Sequence, residues 1–221
     1  MLYSFLTSLI DQFSALNVFR YLTFRTGLSV MTSMIIVFLI GGRFIKFFQV
    51  HKITGPIRED GPISHLIEKA GTPTMGGVLI LLGIVPSTIL WADLKNPYVW
   101  VLLFVATSFG LLGCVDDYLK IRRKNSRGMS SLMKIFWQII LSFIAILILA
   151  KFGDSNHLKN VYFPFFKNLI LYLGIFFIPF SIFIIVGSSN AVNLTDGLDG
   201  LATVPVILVA TSFTLICYVV G

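Results

Sequence analysis

Residues 168–195 read NLILYLGIFFIPFSIFIIVGSSNAVNLT, a run of 28 residues without one charged side chain. An α-helix rises about 1.5 Å per residue, so about 20 apolar residues cross the roughly 30 Å hydrocarbon core of a bilayer. The run is therefore long enough to hold a membrane-spanning helix.

Five further uncharged runs of 17, 23, 20, 16 and 22 residues occur along the chain, separated by short clusters of charge. Charged residues make up 12% of the sequence, against about a quarter in a soluble domain. We therefore predict an all-α fold, a polytopic transmembrane helical bundle that forms a single integral membrane domain over residues 1–221. The six predicted spans are Thr26–Gly42, Met75–Ala92, Tyr98–Val115, Ile135–Ala150, Leu169–Gly187 and Leu201–Val220.

The basic residues predict the orientation of these spans. Residues 43–69 hold five Lys or Arg and residues 120–134 hold six, whereas the segments on the opposite side hold six in total. The positive-inside rule assigns the first two segments to the cytoplasm, so the N-terminus and Gly221 are expected outside. The net charge of +7 is then mainly a topology signal. Nucleic acid is excluded as a partner because the basic residues flank spans.

Three smaller expectations concern the outer side and the cysteines. Met1–Leu9 has no basic start or cleavage site, and we interpret it as a short amphipathic helix on the outer surface. The segment around Val161–Pro164 follows turn residues and could form a small hairpin. Cys114 and Cys217 fall near opposite ends of different spans, too far apart for a disulfide.

The polar chemistry is concentrated on the cytoplasmic side of the predicted spans. A transporter places polar groups near the middle of its spans, and the middles of these spans carry no charge. An enzyme that acts on a water-soluble substrate places its polar groups at one face. The pattern therefore favours a membrane enzyme, while a non-catalytic transporter or scaffold remains an alternative.

Asp116 and Asp117 directly follow an apolar span. If the helix ends there, the negative end of its macrodipole and the adjacent like charges are both unfavourable without a cation. One interpretation is a solvated acidic turn paired with Lys120, Arg122 or Arg123. The other is a Mg²⁺ site, since carboxylates are the ligands that Mg²⁺ uses in phosphate chemistry.

Two basic segments accompany the acidic pair. Lys69 is the cation beside a Gly- and Pro-rich turn, GPISHLIEKAGTPTMGG over residues 61–77. Lys120–Lys134 is rich in Lys and Arg and also contains Gly128, Ser130 and Ser131. Both segments are explained by topology alone, but both would also attract an anionic substrate.

A polar edge begins within the last residues of the 28-residue run, in NAVNLTDGLDGLA over residues 190–202. Amide and carboxylate side chains recur there at every third position: Asn190, Asn193, Asp196 and Asp199. Gly197 and Gly200 would let a planar ligand lie against the backbone. The competing interpretation, a helix start capped by Asp196 or Asp199, explains one residue of the four.

The segments GPISHLIEKAGTPTMGG, DDYLK and NAVNLTDGLDGLA resemble the signature segments of the polyprenyl-phosphate N-acetylhexosamine-1-phosphate transferase superfamily. Thr74 and Thr195 make the chain similar to its phospho-N-acetylmuramoyl-pentapeptide transferases. Members that use UDP-N-acetylglucosamine typically carry Arg in place of Thr74 and an apolar residue in place of Thr195.

The resemblance implies a bacterial inner-membrane enzyme with a cytoplasmic active face. It would transfer phospho-N-acetylmuramoyl-pentapeptide from UDP-MurNAc-pentapeptide to undecaprenyl phosphate, releasing UMP and forming the first lipid intermediate of peptidoglycan synthesis. Other candidate partners are the lipid bilayer and a second copy of the chain in a homodimer. A transferase for another UDP-N-acetylhexosamine is the nearest alternative.

The resemblance also assigns roles to residues, with Mg²⁺ as the cofactor. Asp116, Asp117 and Lys120 are the candidate catalytic residues, and Asp116, Asp117 and Asp196 the candidate metal ligands. The candidate substrate-binding residues are Lys69, Thr74, Lys134, Asn190, Asn193, Asp196, Gly197, Leu198 and Asp199. Members have about ten spans and a further aspartate and histidine cluster beyond the sixth, so the 221 residues alone are expected to be inactive.

Overall fold

The structure is a computed structural model that describes residues 1–51, 75–123, 128–153, 158–163, 166–196 and 201–220. These residues form seven α-helices and one β-hairpin. The helices are α1 (Leu2–Ser8), α2 (Leu22–Val50), α3 (Gly76–Trp91), α4 (Pro97–Arg123), α5 (Ser131–Phe152), α6 (Phe177–Thr195) and α7 (Thr203–Val220). The strands are β1 (Asn160–Phe163) and β2 (Phe166–Tyr172), and short 3₁₀ turns cover Ser14–Arg20 and Gly174–Phe176. The chain forms two compact units, Met1–Leu141 and Ser142–Gly221.

In the first unit, α3 packs against α2 and α4. Two glycines permit this packing. A Cβ at Gly83 would lie 2.8 Å from Ser33 Oγ and 2.9 Å from Val37 Cγ2 on α2, and a Cβ at Gly110 on α4 would collide with Leu81 on α3. Small residues at such crossings let helix backbones approach closely.

The ends of α3 and α4 that are nearest to each other in sequence carry an aromatic cluster. Trp91 Nε1 donates a hydrogen bond of 2.9 Å to Thr32 Oγ1, and its ring stacks on Phe19 at 6.0 Å. Trp100 Nε1 donates to the Leu94 carbonyl at 2.9 Å. Indole N–H groups with such partners are typical of rings at a polar–apolar boundary. This cluster marks the end of the α3–α4 pair opposite to Asp116, which is about 24 Å from Trp100 along α4.

In the second unit, the expected hairpin is present. Strands β1 and β2 pair antiparallel, with Val161 opposite Leu171 and an irregularity between Tyr162 and Phe163. The prediction that the fifth span runs over Leu169–Gly187 is wrong, because residues up to Tyr172 belong to β2 and α6 covers Phe177–Thr195. Charge alone does not separate an apolar strand from the helix that follows it.

Four helical segments are long and apolar enough to cross a membrane: α2, α4, α5, and α6 together with its preceding 3₁₀ turn. The apolar helices α3 and α7 are shorter. Among the described residues the most buried are Ser87 on α3 and four residues on one face of α5: Gln138, Ser142, Ala145 and Ile146. The chain is a helical, multi-pass membrane protein.

Candidate active site

Helix α4 does not end at the acidic pair. It continues past Asp116 and Asp117 to Arg123, so the expectation that the pair lies at a helix C-terminus is wrong. The last turn contains Lys120, Arg122 and Arg123, and cations in that position interact favourably with the negative end of the helix dipole. The carboxylates therefore lie on a continuous helix, immediately beyond its apolar stretch.

Lys120 lies between the two carboxylates. Its Nζ atom is 2.7 Å from Asp116 Oδ2 and 3.0 Å from Asp117 Oδ1. Residues three and four positions apart share one helix face, which is why one lysine reaches both aspartates. The Asp116 side chain is 12% exposed and the Asp117 side chain 35% exposed. Of the cations proposed to pair with the acidic residues, the structure shows Lys120 in this position.

The other oxygen of Asp116 is held by the segment that leads into α5. The backbone N–H of Met129 donates to Asp116 Oδ1 at 2.6 Å. Arg123 Nη1 donates to the Gly128 carbonyl at 3.2 Å, which ties the same segment to the last turn of α4. Both oxygens of Asp116 therefore have a partner within the protein.

Ser130 directly precedes helix α5, next to this contact. Its Oγ accepts the Met133 N–H at 3.3 Å, and its carbonyl accepts the Lys134 N–H at 3.0 Å. A serine before the first helical residue commonly satisfies an amide that has no partner within the helix. The cap fixes where α5 starts, and so where Lys134 lies relative to Asp116.

The charges around Asp116 set its protonation. Asp116 and Lys120 lie beyond Val115, the last residue of the uncharged stretch. Partial burial acts to raise the pKa of Asp116, but the hydrogen bonds from Lys120 and Met129, with the charges of Lys120 and Lys134, hold that pKa below its ordinary value. Burial acts to lower the pKa of Lys120, and the two aspartates raise it above its ordinary value. The pair is therefore ionised near neutral pH.

The donor set of this site suits a hard cation. Asp116 and Asp117 offer carboxylate oxygens, which Mg²⁺ prefers, and Mg²⁺ usually keeps several waters beside one or two carboxylates. Within the described ranges no three His, Cys, Asp or Glu side chains cluster. The residues therefore fit a metal site with two carboxylate ligands. In this structure the ammonium of Lys120 lies between these two carboxylates.

The polar edge of residues 190–196 is α-helical up to Thr195, and Asp196 follows the helix. Asn190 Nδ2 donates to the Val186 carbonyl of the same helix at 2.8 Å. Asn193 and Asp196 are exposed. Asp196 is the C-cap residue of α6, whose last turn contains no basic residue. A carboxylate there is electrostatically unfavourable without an external cation.

The described residues contain only part of the predicted site. Asp116, Asp117, Lys120 and Lys134 come together in the first unit. Asn190, Asn193 and Asp196 belong to the last two turns of α6 in the second unit. Lys69, Thr74, Gly197, Leu198 and Asp199 lie outside the described residues.

Sequence reasoning missed the contact between Met129 and Asp116. A backbone N–H leaves no mark on the sequence, and the two residues are 13 positions apart. The available signal was the order of Gly128 and Ser130 before a new apolar helix, which is typical of a tight helix entry. That signal predicts where α5 begins but not what the entry segment contacts.

The family model for glycosyl transferase family 4 matches residues 99–221, more than half of the chain. The chain belongs to this family. Signature 1 of the phospho-N-acetylmuramoyl-pentapeptide-transferases also matches, over residues 69–81. The family 4 match includes the acidic pair, Lys120, Lys134 and the polar edge, and the signature match includes Lys69 and Thr74.

Curated relatives of this family 4 chain share one name, phospho-N-acetylmuramoyl-pentapeptide-transferase. The chain is 64% identical to the one from Pelagibacter ubique strain HTCC1062, 52% identical to one from Rickettsia bellii strain RML369-C, and 46% identical to the one from Caulobacter vibrioides strain NA1000 / CB15N. Each match covers 100% of this chain and 61% of the relative. The chain thus spans about three fifths of the length of these relatives.

Proposed function

We propose that this protein transfers phospho-N-acetylmuramoyl-pentapeptide from UDP-MurNAc-pentapeptide to undecaprenyl phosphate. The products would be UMP and the first lipid intermediate of peptidoglycan synthesis. The similarity over the whole chain to relatives that carry this transferase name supports the proposal. The observation that carries it is the acidic pair bridged by Lys120 at the end of the apolar stretch of α4.

The position of that pair suits a reaction between a membrane lipid and a soluble nucleotide. A phosphate oxygen of the lipid would attack the sugar-proximal phosphorus of the diphosphate. The bond from this phosphorus to the oxygen of the uridine-proximal phosphate would break, and UMP would leave with the electron pair. Such phosphoryl transfer depends mainly on positioning and on neutralising charge. Lys120 and Lys134 are suited to hold phosphate oxygens there, as are Lys69 and Thr74 by the resemblance.

The two aspartates have different roles in this proposal. Both Asp116 oxygens accept hydrogen bonds from the protein, and its side chain is 12% exposed. Asp117 is 35% exposed and contacts Lys120 through one oxygen. We therefore propose that Asp117 offers its more exposed carboxylate to the metal on the substrate side, and that Asp116 holds Lys120 and the entry to α5 as well as offering its remaining lone pairs to the metal. The second pKa of a phosphate is about 6, so little base catalysis is needed to ionise the lipid phosphate.

Mg²⁺ is proposed as the cofactor, with Asp116 and Asp117 as ligands and Asp196 as a further one. When bound, the ion would supply positive charge that offsets the charge developing on the phosphates. The unfavourable carboxylate at the C-terminus of α6 supports a cation near Asp196. Asn190, Asn193, Gly197, Leu198 and Asp199 are proposed to contact the nucleotide.

The membrane arrangement is part of the same proposal. We propose six spans in a bacterial inner membrane, formed by α2 to α7, with the N-terminus outside and the acidic pair at the cytoplasmic face. The excess of Lys and Arg in residues 43–69 and 120–134 supports this orientation. A homodimer remains a prediction from the sequence.

The test uses an extended chain, in which the 221 residues are followed by the part of the Pelagibacter ubique relative that the match does not cover. The purified extended chain is supplied with undecaprenyl phosphate and with either UDP-MurNAc-pentapeptide or UDP-N-acetylglucosamine, and UMP is measured. We expect UMP only with the first nucleotide. The relative's added part, expressed alone, controls for activity that does not come from this chain.

Two outcomes would change the assignment. UMP release with UDP-N-acetylglucosamine alone would make the protein a transferase for another sugar. The extended chain must be shown to be folded and to co-purify with undecaprenyl phosphate in detergent. If such a chain releases no UMP with either nucleotide, the protein is not a transferase and the transporter or scaffold alternative is favoured.

A further inference from the structure

Gly128 lies against the acidic pair although it is eight residues beyond Lys120 in the sequence. A Cβ built on Gly128 would collide with Asp116 Oδ1, lie 2.8 Å from Asp116 Cγ and lie 2.9 Å from Lys120 Cε. Real Cβ contacts are essentially never shorter than 3.0 Å. The backbone at this point therefore comes closer to the carboxylate than any residue with a side chain allows.

The backbone conformation of Gly128 does not by itself require glycine. The φ angle of Gly128 is not in the left-handed region. Among the described residues, the glycine with a positive φ is Gly174. A side chain at this position would overlap the space taken by Asp116 and Lys120. Glycine is therefore needed here for a close contact and not for a turn.

Three contacts meet at this end of α4, two from the Gly128–Met129 segment and one within the helix. The Met129 N–H, directly after Gly128, donates to Asp116 Oδ1 at 2.6 Å. The Gly128 carbonyl accepts from Arg123 Nη1 at 3.2 Å. Asp116 Oδ2 in turn lies 2.7 Å from Lys120 Nζ. A change at Gly128 must move either the carboxylate or the segment, and each would release Lys120 from its position between the carboxylates.

We propose that Gly128 is a positioning residue, whose missing side chain lets Met129 fix Asp116 and, through Asp116, aim the ammonium of Lys120. The inference rests on the proposed function, in which Lys120 holds a phosphate oxygen beside Asp117. The inference adds that Lys120 is positioned by the protein before the substrate binds. The three contacts hold the ammonium of Lys120 in one position at the end of α4 that lies beyond its apolar stretch. A charge that is held in position before the reaction begins is what phosphoryl transfer needs.

The test compares Gly128→Ala with Gly113→Ala in the extended chain. Gly113 lies one turn before Asp117 on α4, and a Cβ there meets nothing within 4 Å. Hydrogen exchange of the peptide that contains the Met129 amide gives a readout independent of activity. We expect faster exchange in Gly128→Ala and in Asp116→Ala, which removes the acceptor of the Met129 N–H, and wild-type exchange in Gly113→Ala. Thermal unfolding of each variant reports whether it is folded.

Turnover gives the second readout. Losing one hydrogen bond to a charged group costs roughly tenfold to a hundredfold, so kcat of Gly128→Ala should fall by about that factor. In an Asp116→Ala background the same change should have little further effect, because both act through the side chain of Asp116. Unchanged exchange in Gly128→Ala, or turnover equal to that of Gly113→Ala, would overturn the inference. An inactive wild-type extended chain would instead refute the proposed function, while the exchange comparison still decides whether Gly128 fixes Asp116.

Discussion

Replacing Lys120 with methionine should destabilise the protein and not only reduce its activity. Methionine keeps a long unbranched side chain and helix propensity similar to that of lysine. The change removes the ammonium that lies 2.7 Å from Asp116 and 3.0 Å from Asp117. Two adjacent carboxylates then lose the cation between them, and Asp116 is too buried to be compensated by water alone.

The expected size follows from the exposure of each partner. The contact with Asp117 involves a carboxylate that is 35% exposed, so it should contribute about 0.5 kcal/mol, as other surface pairs do. The contact with Asp116 involves a carboxylate that is 12% exposed, and a hydrogen bond between charged groups contributes about 1.5 kcal/mol or more. The free energy of unfolding should therefore fall by about 2 kcal/mol, which is roughly 2–4 °C in the melting temperature of the longer extended chain.

The assay is thermal unfolding of the extended chain in detergent, with Arg122→Met as the matched control. Arg122 is an exposed cation in the same helical turn, so its loss should change stability by less than about 0.5 kcal/mol. Adding Asp117→Asn to Lys120→Met should recover part of the loss, because one negative charge is removed. Equal melting temperatures for Lys120→Met and Arg122→Met would refute the assignment of Lys120 as the compensating cation.

The pH dependence of this difference has a defined sign. The lowered pKa of Asp116 means that its stabilising contribution is present above the ordinary aspartate pKa and is lost as the pH falls through the lowered value. The raised pKa of Lys120 means that its contribution is lost only as the pH rises through the raised value. The stability difference between wild type and Lys120→Met should thus be the same at about pH 6 and about pH 8. A difference that disappears at either pH would contradict the charge assignment.

Three further predictions concern topology, length and capping. With Cys114 and Cys217 replaced by alanine, a cysteine at Lys95 should react with an impermeant thiol reagent from outside intact cells and one at Arg123 should not; labelling of both would contradict the orientation. Residues 1–221 expressed alone should release no UMP where the extended chain does, since groups that act as a unit lose nearly all rate enhancement when some are missing; comparable turnover would make the added part dispensable. Ser130→Ala should lower stability by about 1 kcal/mol through loss of the Met133 contact, and an unchanged melting temperature would show that the cap is unimportant.

The sequence predicted the helices better than their ends. The uncharged runs identify the apolar part of each helix, and α3 lies within one residue of its predicted limits. Helix α4 extends beyond its predicted end because Lys120 neutralises the acidic pair, and α6 starts later because β2 is as apolar as a span. Charge counts cannot register either effect, since one depends on helix-face geometry and the other on backbone pairing.

The candidate site shows the same division. Asp116, Asp117 and Lys120 could be selected by residue type and spacing, because local contacts on a helix follow from sequence separation. The closure of Gly128 and Met129 onto Asp116 could not, because it depends on how the chain returns after α4. The sequence therefore predicts which side chains are available, while the loop contacts decide which carboxylate is held and which meets solvent.

The most direct test of the transferase assignment is the transfer of radiolabelled phospho-MurNAc-pentapeptide to undecaprenyl phosphate by the extended chain with Asp117→Asn or Asp93→Asn. Asp93 lies between α3 and α4, at the end of these helices opposite to Asp117, and its Oδ1 accepts the Lys95 N–H at 3.0 Å, a role that asparagine can also fill. We expect Asp117→Asn to lose about a thousandfold or more of the transfer rate at normal expression, since its charge acts together with its neighbours. Asp93→Asn should retain the wild-type rate. A near-normal transfer rate in Asp117→Asn would contradict a catalytic acidic pair and leave Asp116, Asp117 and Lys120 as a structural ion pair.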